Sequence, residues 1–493
     1  MTNGLRDLVQ VLSHGLDKGT DEQTRTAIDA VFRDRYPAKF RSPEMMRVAL
    51  MNGEGNVPFA GLLNSENPTS GVYGGMSLIW FPVAKDDEGE AASLLTFVCG
   101  TRGLAPDEQI LGRPGHARHL LALSRHLKEA TGVPVWVKRD PTNLAQPLPD
   151  VIRRQHPRFE NVFQRYGACL YAIVEVPKDE RQATQIVQGF LDFYGWERGW
   201  PPRAAVQNDV NDLKNSLRAH LFPRTSAKEV VELLRERRFV ILQGPPGTGK
   251  TRLAVKVLEE AFKGRGNVVQ FHPAVTYETF VAGIAPDVSQ QSLRFQVRSG
   301  WLADAVQKAE GGEHLLVVDE INRADLGKVL GEAICLFESA EISAGHGRIV
   351  RLPQPLENGR QELSVPKGFF LLGTMNSADR SIAILDLAVR RRFAFVDVWP
   401  DLAVVQAQGI RLATDAYGQL LDIFSQYAPG DALSLIPGHA YFLANDEAQL
   451  SRRLRFELLP LLNEYLQEGR LGPCESELQA YCDWLEGAIP EHG

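Results

Sequence analysis

The sequence predicts an α/β chain: a parallel sheet flanked by helices in the second part, preceded by a region of α+β character. Three observations point there. After residue 205, short apolar runs alternate with helical patterns, as in parallel sheets with crossover helices. One of those runs leads into Gly244-Pro-Pro-Gly-Thr-Gly-Lys-Thr251, a complete G-x-x-x-x-G-K-[ST] phosphate loop. Before residue 205, two apolar runs joined by an acidic stretch suggest a hairpin instead.

The chain has 493 residues, room for about two to four domains at ~100–200 residues each. It can bury large cores without a disulfide or metal staple. With 54 basic and 61 acidic residues the net charge is −7, which excludes a uniformly basic nucleic-acid coat but leaves room for a local basic patch. A 44% hydrophobic content is that of a globular chain, not a disordered one. Cys99, Cys169, Cys335, Cys474 and Cys482 include no C-x-x-C pair and read as reduced thiols of a cytosolic protein. No signal-peptide pattern opens the chain, and no uncharged apolar stretch reaches the ~18 residues of a transmembrane helix. A cytoplasmic protein without membrane association is expected.

Taking the elements in order, Leu5 to Leu16 has helical apolar spacing. Met76–Val83 and Ala92–Cys99 read as strands joined by a solvated KDDEGE loop. Val133–Val137 and Cys169–Val176 are further strands, and Ala183–Tyr194 a helix. Gly195 to Gln207 (GWERGWPPRAAVQ) gathers Gly, Pro and charge and reads as a linker or an irregular crossing. Residues 1–205 carry 24 basic and 24 acidic side chains, so the net charge belongs to the second part of the chain. In that part, Phe239–Leu242, Val268–Phe271, Leu315–Val318 and Phe369–Leu372 are the strand-like runs.

The phosphate loop sits between the run Phe239–Leu242 and a helical pattern, Leu253 to Phe262. Its glycines let backbone N–H groups turn toward phosphate, and the following helix N-terminus adds a favourable dipole. The nucleotide-binding candidates are Gly244, Pro245, Pro246, Gly247, Thr248, Gly249, Lys250, Thr251 and Arg252. Lys250 is suited to the β- and γ-phosphates, and the Thr251 hydroxyl to Mg2+. Downstream, Leu315-Leu-Val-Val-Asp-Glu320 ends an apolar run in two carboxylates. A strand buried on both faces delivers its last residues to the carboxyl edge of the sheet, where ligands bind. Asp319 is then the second Mg2+ candidate, and Glu320 the residue to orient and deprotonate an attacking water.

Asp319-Glu-Ile-Asn-Arg-Ala324, with Gly331-Glu332 and Glu338, resembles the signature of McrB-type AAA+ NTPases, the motor subunits of modification-dependent restriction systems. Four further segments agree: Phe271-His-Pro-Ala-Val-Thr-Tyr-Glu-Thr-Phe280 with Gly283; Gly373-Thr-Met-Asn-Ser-Ala-Asp-Arg-Ser381; Leu385-Asp386 leading to Arg390-Arg-Arg-Phe393; and Gly438-His-Ala-Tyr-Phe442 with Leu459-Pro-Leu-Leu-Asn-Glu-Tyr465. The resemblance spans residues 224–470 and nothing before 205. It implies an AAA+ P-loop core over 206–400, a C-terminal helical lid over 401–493, and a separate α+β recognition or specificity domain over 1–205. It also implies a hexameric ring and an McrC-like partner that cuts DNA and stimulates hydrolysis.

Asn376 ends the run Phe369–Thr374, which belongs beside the carboxylate strand. An amide there can hydrogen-bond the γ-phosphate and the lytic water without adding charge. Arg390, Arg391 and Arg392 cannot all share one helix face, so at least one is free to reach a neighbouring subunit's γ-phosphate. Arg391 is the first candidate for that finger, Arg392 the second, and Arg380 a further candidate at the subunit interface. Such a finger is worth ~10³–10⁵ in rate in related systems, and a head-to-tail contact of this kind closes into a ring. His272, Tyr277, Glu278 and Phe280 fit either a central loop or a packing role, with packing favoured.

In the first part, His116, His119 and His126 share helical spacing over Pro114–Ala130. No carboxylate or cysteine completes a metal set, so a His- and Arg-rich helix surface is the preferred reading. From Ile110 to Arg165, ten basic residues (Arg113, Arg118, Arg125, Lys128, Lys138, Arg139, Arg153, Arg154, Arg158, Arg165) face four acidic ones. That excess fits a phosphate-backbone footprint or a solvated face. No nuclease constellation is present.

The sequence thus points to a ring-forming NTPase using Mg2+ and ATP or GTP, moving DNA or remodelling a partner in defence against foreign DNA. DNA would enter through the N-terminal domain or a central pore. The phosphate loop reads phosphates and leaves the base open. Two rivals stand beside it: a MoxR-like protein-remodelling ATPase, and a nucleotide-driven assembly switch.

Overall fold

The computed structural model describes residues 3–14, 20–50, 57–68, 73–83, 91–287, 294–378 and 387–489. The acidic KDDEGE loop, Arg380, Leu385 and Asp386 lie outside them. Two compact units are present: Met1–Leu221 with Asp422–Gly430, and Phe222–Leu421 with Asp431–Gly493.

The first unit is built on strands β1 (Met46–Ala49), β2 (Phe59–Leu62), β3 (Met76–Val83), β4 (Ala92–Cys99), β5 (Trp136–Val137) and β6 (Leu170–Glu175). They form an antiparallel sheet in the order β1-β2-β3-β4-β6-β5. Side chains alternate between faces along a strand. Leu78 and Trp80 of β3 therefore join helices Asn3–His14, Thr20–Arg35, Pro114–Thr131 and Glu180–Glu197. Ile79 and Phe81 pack instead with Ile152, Phe159 and Phe163. Both faces are covered, which is why β3 and β4 read as unbroken apolar runs.

Of the two readings of Gly195–Gln207, the structure shows an irregular crossing within the first unit and not a linker between units. Trp200 packs its ring against Phe32, Tyr36 and Tyr194, and Arg198 makes a two-pronged ion pair with buried Asp107. Aromatic burial outweighs the local Gly and Pro content, and the chain continues within the same unit as helix Gln207–Leu221.

The second unit holds a five-stranded parallel sheet: β7 (Phe239–Gly244), β8 (Gly266–Gln270), β11 (His314–Asp319), β14 (Phe369–Asn376) and β15 (Ala394–Asp397), in the order β15-β7-β14-β11-β8. β9 (Ala282–Asp287) with β10 (Arg294–Ser299), and β12 (Ile349–Arg351) with β13 (Glu362–Ser364), form separate hairpins. A capping box, Ser226 to Glu229, starts helix Ala227–Arg237. That helix packs with Lys250–Ala261 over one sheet face, burying Leu234, Val257 and Val240 together. Helix Trp301–Glu310 covers the other, with Leu302, Ile241 and Val318 in one cluster. The chain is thus an α/β protein with a parallel P-loop sheet preceded by an α+β unit. Helices Glu447–Arg453, Leu459–Gln467 and Glu475–Ala488 follow the sheet.

Candidate nucleotide site

β14 lies between β7 and β11, so the phosphate loop, the carboxylate pair and Asn376 converge on the carboxyl edge of three adjacent strands. Asn376 is in register with Gly244, and the Ser377 N–H donates to the Gly244 carbonyl at 3.0 Å. The loop wraps through left-handed Gly247 (φ 76°) and Gly249 (φ 79°), positions where a side chain is strained. The Thr248 hydroxyl donates to Pro245 O at 3.0 Å. Lys250 is buried, its ammonium donating to the carbonyls of Gly244 (3.0 Å) and Pro245 (2.7 Å). Burial pushes it down to about 8, against the opposing pull of Glu320 and Asp319. Arg252 is exposed on the first turn of the following helix.

The Thr251 hydroxyl donates to Asp319 Oδ1 at 2.7 Å. A second hydroxyl, from Thr374 on β14, donates to the same oxygen at 2.6 Å, and the Glu320 N–H donates to Thr374 Oγ1 at 3.1 Å. Glu320 itself is left-handed (φ 52°), a conformation that costs of order 1–3 kcal/mol in a non-glycine residue. Its Oε2 is shielded from solvent and has no hydrogen-bond partner; Arg323 Nε is 3.6 Å away. The Asn322 amide donates to Asn376 O at 3.3 Å. The paired hydroxyl and carboxylate of Thr251 and Asp319 are hard oxygen donors that suit Mg2+. Among the described residues no group of three or more His, Cys, Asp or Glu could hold a metal by itself.

The segment around Gly438 reaches this loop directly. The Gly438 N–H donates to Pro246 O at 2.8 Å and the Ala440 N–H to Gly247 O at 3.0 Å. His439 accepts from the Asp401 N–H at 3.4 Å, and burial, ahead of its neighbours, lowers its pKa.

The candidate fingers divide. Arg392 is buried, donating to Ala388 O at 2.7 Å and pairing with Glu338 at 3.1 Å. Arg391 is two-thirds exposed, with Glu338 at 3.6 Å. Arg390 lies over the Phe395 ring. Phe271 and Phe280 are buried and in edge contact, while the Tyr277 hydroxyl donates to Glu332 at 2.6 Å, so these three pack. His272 and Glu278 are exposed.

In the first unit His116 and His119 are fully buried, not a helix surface. Each Nδ1 lies within hydrogen-bond range of Glu197, at 2.8 and 2.9 Å, and Arg113 donates to the same carboxylate at 2.6 Å. Burial works to raise Glu197, and the bonds from both histidines outweigh it, holding the carboxyl well below its ordinary range. His126 stands apart, beside His220. Of the basic excess, Arg113 is committed to Glu197, Arg118 donates to the Ser425 and Ala428 carbonyls, Lys138 caps the carbonyls of Gln146 and Ala168, and Arg153 pairs with Glu160. Arg113, Arg118 and Lys138 are therefore spent internally, while Arg125, Lys128, Arg139, Arg154, Arg158 and Arg165 are exposed.

Sequence reasoning assigned no role to Thr374, Asn322 or Gly438. Thr374 hides among β-formers in an apolar strand, and only its position in the sheet reveals its hydroxyl's partners.

Comparison with known proteins agrees with this geometry. The AAA domain family (dynein-related subfamily) matches residues 239–393. The type IV methyl-directed restriction enzyme EcoKMcrB subunit of Escherichia coli (strain K12) is 32% identical over 331 residues, 61% of this chain and 70% of that protein. The type II restriction enzyme BsuMI component YdiS of Bacillus subtilis (strain 168) is 25% identical over 189 residues, 31% of this chain and 55% of that protein.

Proposed function

The chain belongs to the McrB-type family of AAA+ NTPases, and from that premise we propose that it hydrolyses ATP or GTP in a ring of its own copies, as the motor of a restriction system. The observation that carries this reading is the meeting of Thr251, Asp319 and Glu320 at one sheet edge, with the Thr251 hydroxyl 2.7 Å from Asp319. Lys250 and the loop N–H groups bind the triphosphate. Thr251 and Asp319 are the residues that would hold Mg2+, which supplies charge neutralisation at the β- and γ-phosphates. Glu320, with one carboxylate oxygen that has no hydrogen-bond partner, takes the proton of the attacking water. Asn376 orients that water from the neighbouring strand. The exposed Arg391 completes the site of the adjacent subunit.

Hydrolysis drives subunit motion that moves DNA or remodels a partner. Residues 1–205 select the target, 206–400 and 401–493 form core and lid, and an McrC-like subunit cuts. Among the described residues no helix is long and apolar enough to cross a membrane.

Steady-state hydrolysis of ATP and GTP, measured across a protein dilution series with and without DNA, tests the reading. Specific activity should rise with concentration and vanish in Glu320→Gln. Activity independent of concentration, or retained in E320Q, would overturn it. Acceleration by a protein partner but not by DNA would favour remodelling over translocation.

A further inference from the structure

Thr374 faces both halves of the carboxylate pair. It is 1% exposed and sits on β14, one strand away from the residues it serves. Its single hydroxyl proton goes to Asp319 Oδ1 (2.6 Å), and a lone pair receives the Glu320 N–H (3.1 Å). A threonine hydroxyl offers one donor and two acceptor sites, so both contacts are satisfied together. Asp319 Oδ1 also accepts from Thr251 (2.7 Å), which leaves this oxygen fixed between two hydroxyls, one from the first turn of helix Lys250–Ala261 and one from β14.

The second contact bears on Glu320. A left-handed glutamate persists only where its surroundings over-determine it. The Glu320 N–H is the group that a relaxed backbone would swing away, and Thr374 holds it against β14. The Asn322 amide, donating to Asn376 O at 3.3 Å, ties the following turn to the same strand. Asp319 and Glu320 are thereby set relative to Asn376 through one rigid neighbour, not through the turn alone.

We infer that Thr374 is a positioning residue for nucleotide hydrolysis, its hydroxyl aligning Asp319 for the metal and Glu320 for the water. This rests on the hydrolytic reading above. Thr374 touches no substrate itself; it acts through the two carboxylate residues. The first contact should set the Mg2+ requirement and the second the turnover rate.

Thr374→Val keeps the shape and removes the hydroxyl, and Thr374→Ser keeps the hydroxyl. In T374V, kcat for the preferred nucleotide should fall about tenfold, the nucleotide KM should stay within about twofold, and half-maximal Mg2+ should rise severalfold. T374S should return each value to within about twofold of wild type. Wild-type kcat and Mg2+ dependence in T374V would overturn the inference, as would equal losses in T374S and T374V. If the wild-type chain turns over neither ATP nor GTP, the hydrolytic reading fails on its own. The Mg2+ dependence of fluorescent-nucleotide binding then still decides on Thr374: a severalfold rise in T374V supports its action through Asp319, and an unchanged value refutes it.

Discussion

Arg392 Nη2 lies 3.1 Å from Glu338 Oε1 and Arg391 Nη2 lies 3.6 Å from the same oxygen, yet burial separates these two neighbours in sequence. Arg392 is held inside the protomer, while Arg391 projects its guanidinium to solvent. The two should fail differently. R391A should keep the wild-type melting temperature and lose on the order of 10³-fold in hydrolysis, the scale of a missing finger. R392A should instead cost about 3 kcal/mol in urea unfolding by leaving Glu338 without its nearest cation. Mixing inactive R391A with inactive E320Q should recover activity, because mixed rings contain some sites with an intact Glu320 facing an intact Arg391. No recovery would argue against a shared site.

Lys250 gives nucleotide binding a pH dependence with a definite sign. In the free protein its ammonium is pushed down to about 8 by burial, and phosphate binds the protonated form. Above that pH, binding must first restore the proton, so affinity should fall by up to about tenfold per pH unit. Stability moves the other way. The unfolded lysine keeps its proton to about 10.5, so between about 8 and 10.5 the unfolded state binds more protons and the cost of burying Lys250 is relieved as pH rises. Fluorescent-nucleotide titrations from pH 7 to 9.5 check the first statement; a flat profile would contradict it.

What was legible in the sequence was whatever the backbone itself demands. The phosphate loop needs Gly247 and Gly249 in left-handed conformations, so its spacing survives in any context. Asp319 and Glu320 close an apolar run whose burial on both faces is plain from its composition. Partnerships across the chain were not legible. Glu197 lies 81 residues from His116, and without it the histidines looked like surface groups. Trp200 sits among Gly, Pro and Arg, yet its ring partners Phe32 and Tyr36 lie at the second helix and its end. Charge counting overstated the exposed excess for the same reason: Arg113 and Lys138 are spent on internal acceptors that only the fold brings near.

Gly438 tests the contact between the Gly438–Ala440 turn and the phosphate loop. A Cβ there would stand 2.1 Å from the Gly247 carbonyl carbon and 2.4 Å from the Thr248 nitrogen, both backbone atoms with little room to yield. The backbone of Gly438 is extended (φ −74°, ψ 170°), so alanine is barred by contact alone, not by its own conformation. G438A should weaken nucleotide binding at least about tenfold and lower stability by about 1–3 kcal/mol. Gly418, in the middle of helix Arg411–Tyr427 with nothing near its Cβ position, is the control. G418A should leave binding unchanged and add up to about 1 kcal/mol of stability. Wild-type binding in G438A would show that the Gly438 turn moves away without consequence.

Glu197 is the keystone of the first unit's polar core. Its two oxygens are shared among His116, His119 and Arg113, and all of these side chains are buried or nearly so. Burial makes protonation of His119 unfavourable, so the ring donates as a neutral group to an ionised carboxylate. E197A leaves Arg113 and two ring donors without their acceptor, and should cost about 3–5 kcal/mol in urea unfolding. E197Q keeps the shape but loses the charge-assisted bonds and should cost less. The carboxyl is held below its ordinary value of 4.5, so its contribution is complete above that pH and is lost only as pH falls through the lower folded value. The stability gap between wild type and E197Q should therefore hold from pH 7 to about 4.5 and close in stronger acid. A gap that closes already near neutrality would mean that the buried carboxylate is protonated, and that the histidines are not the groups holding its charge.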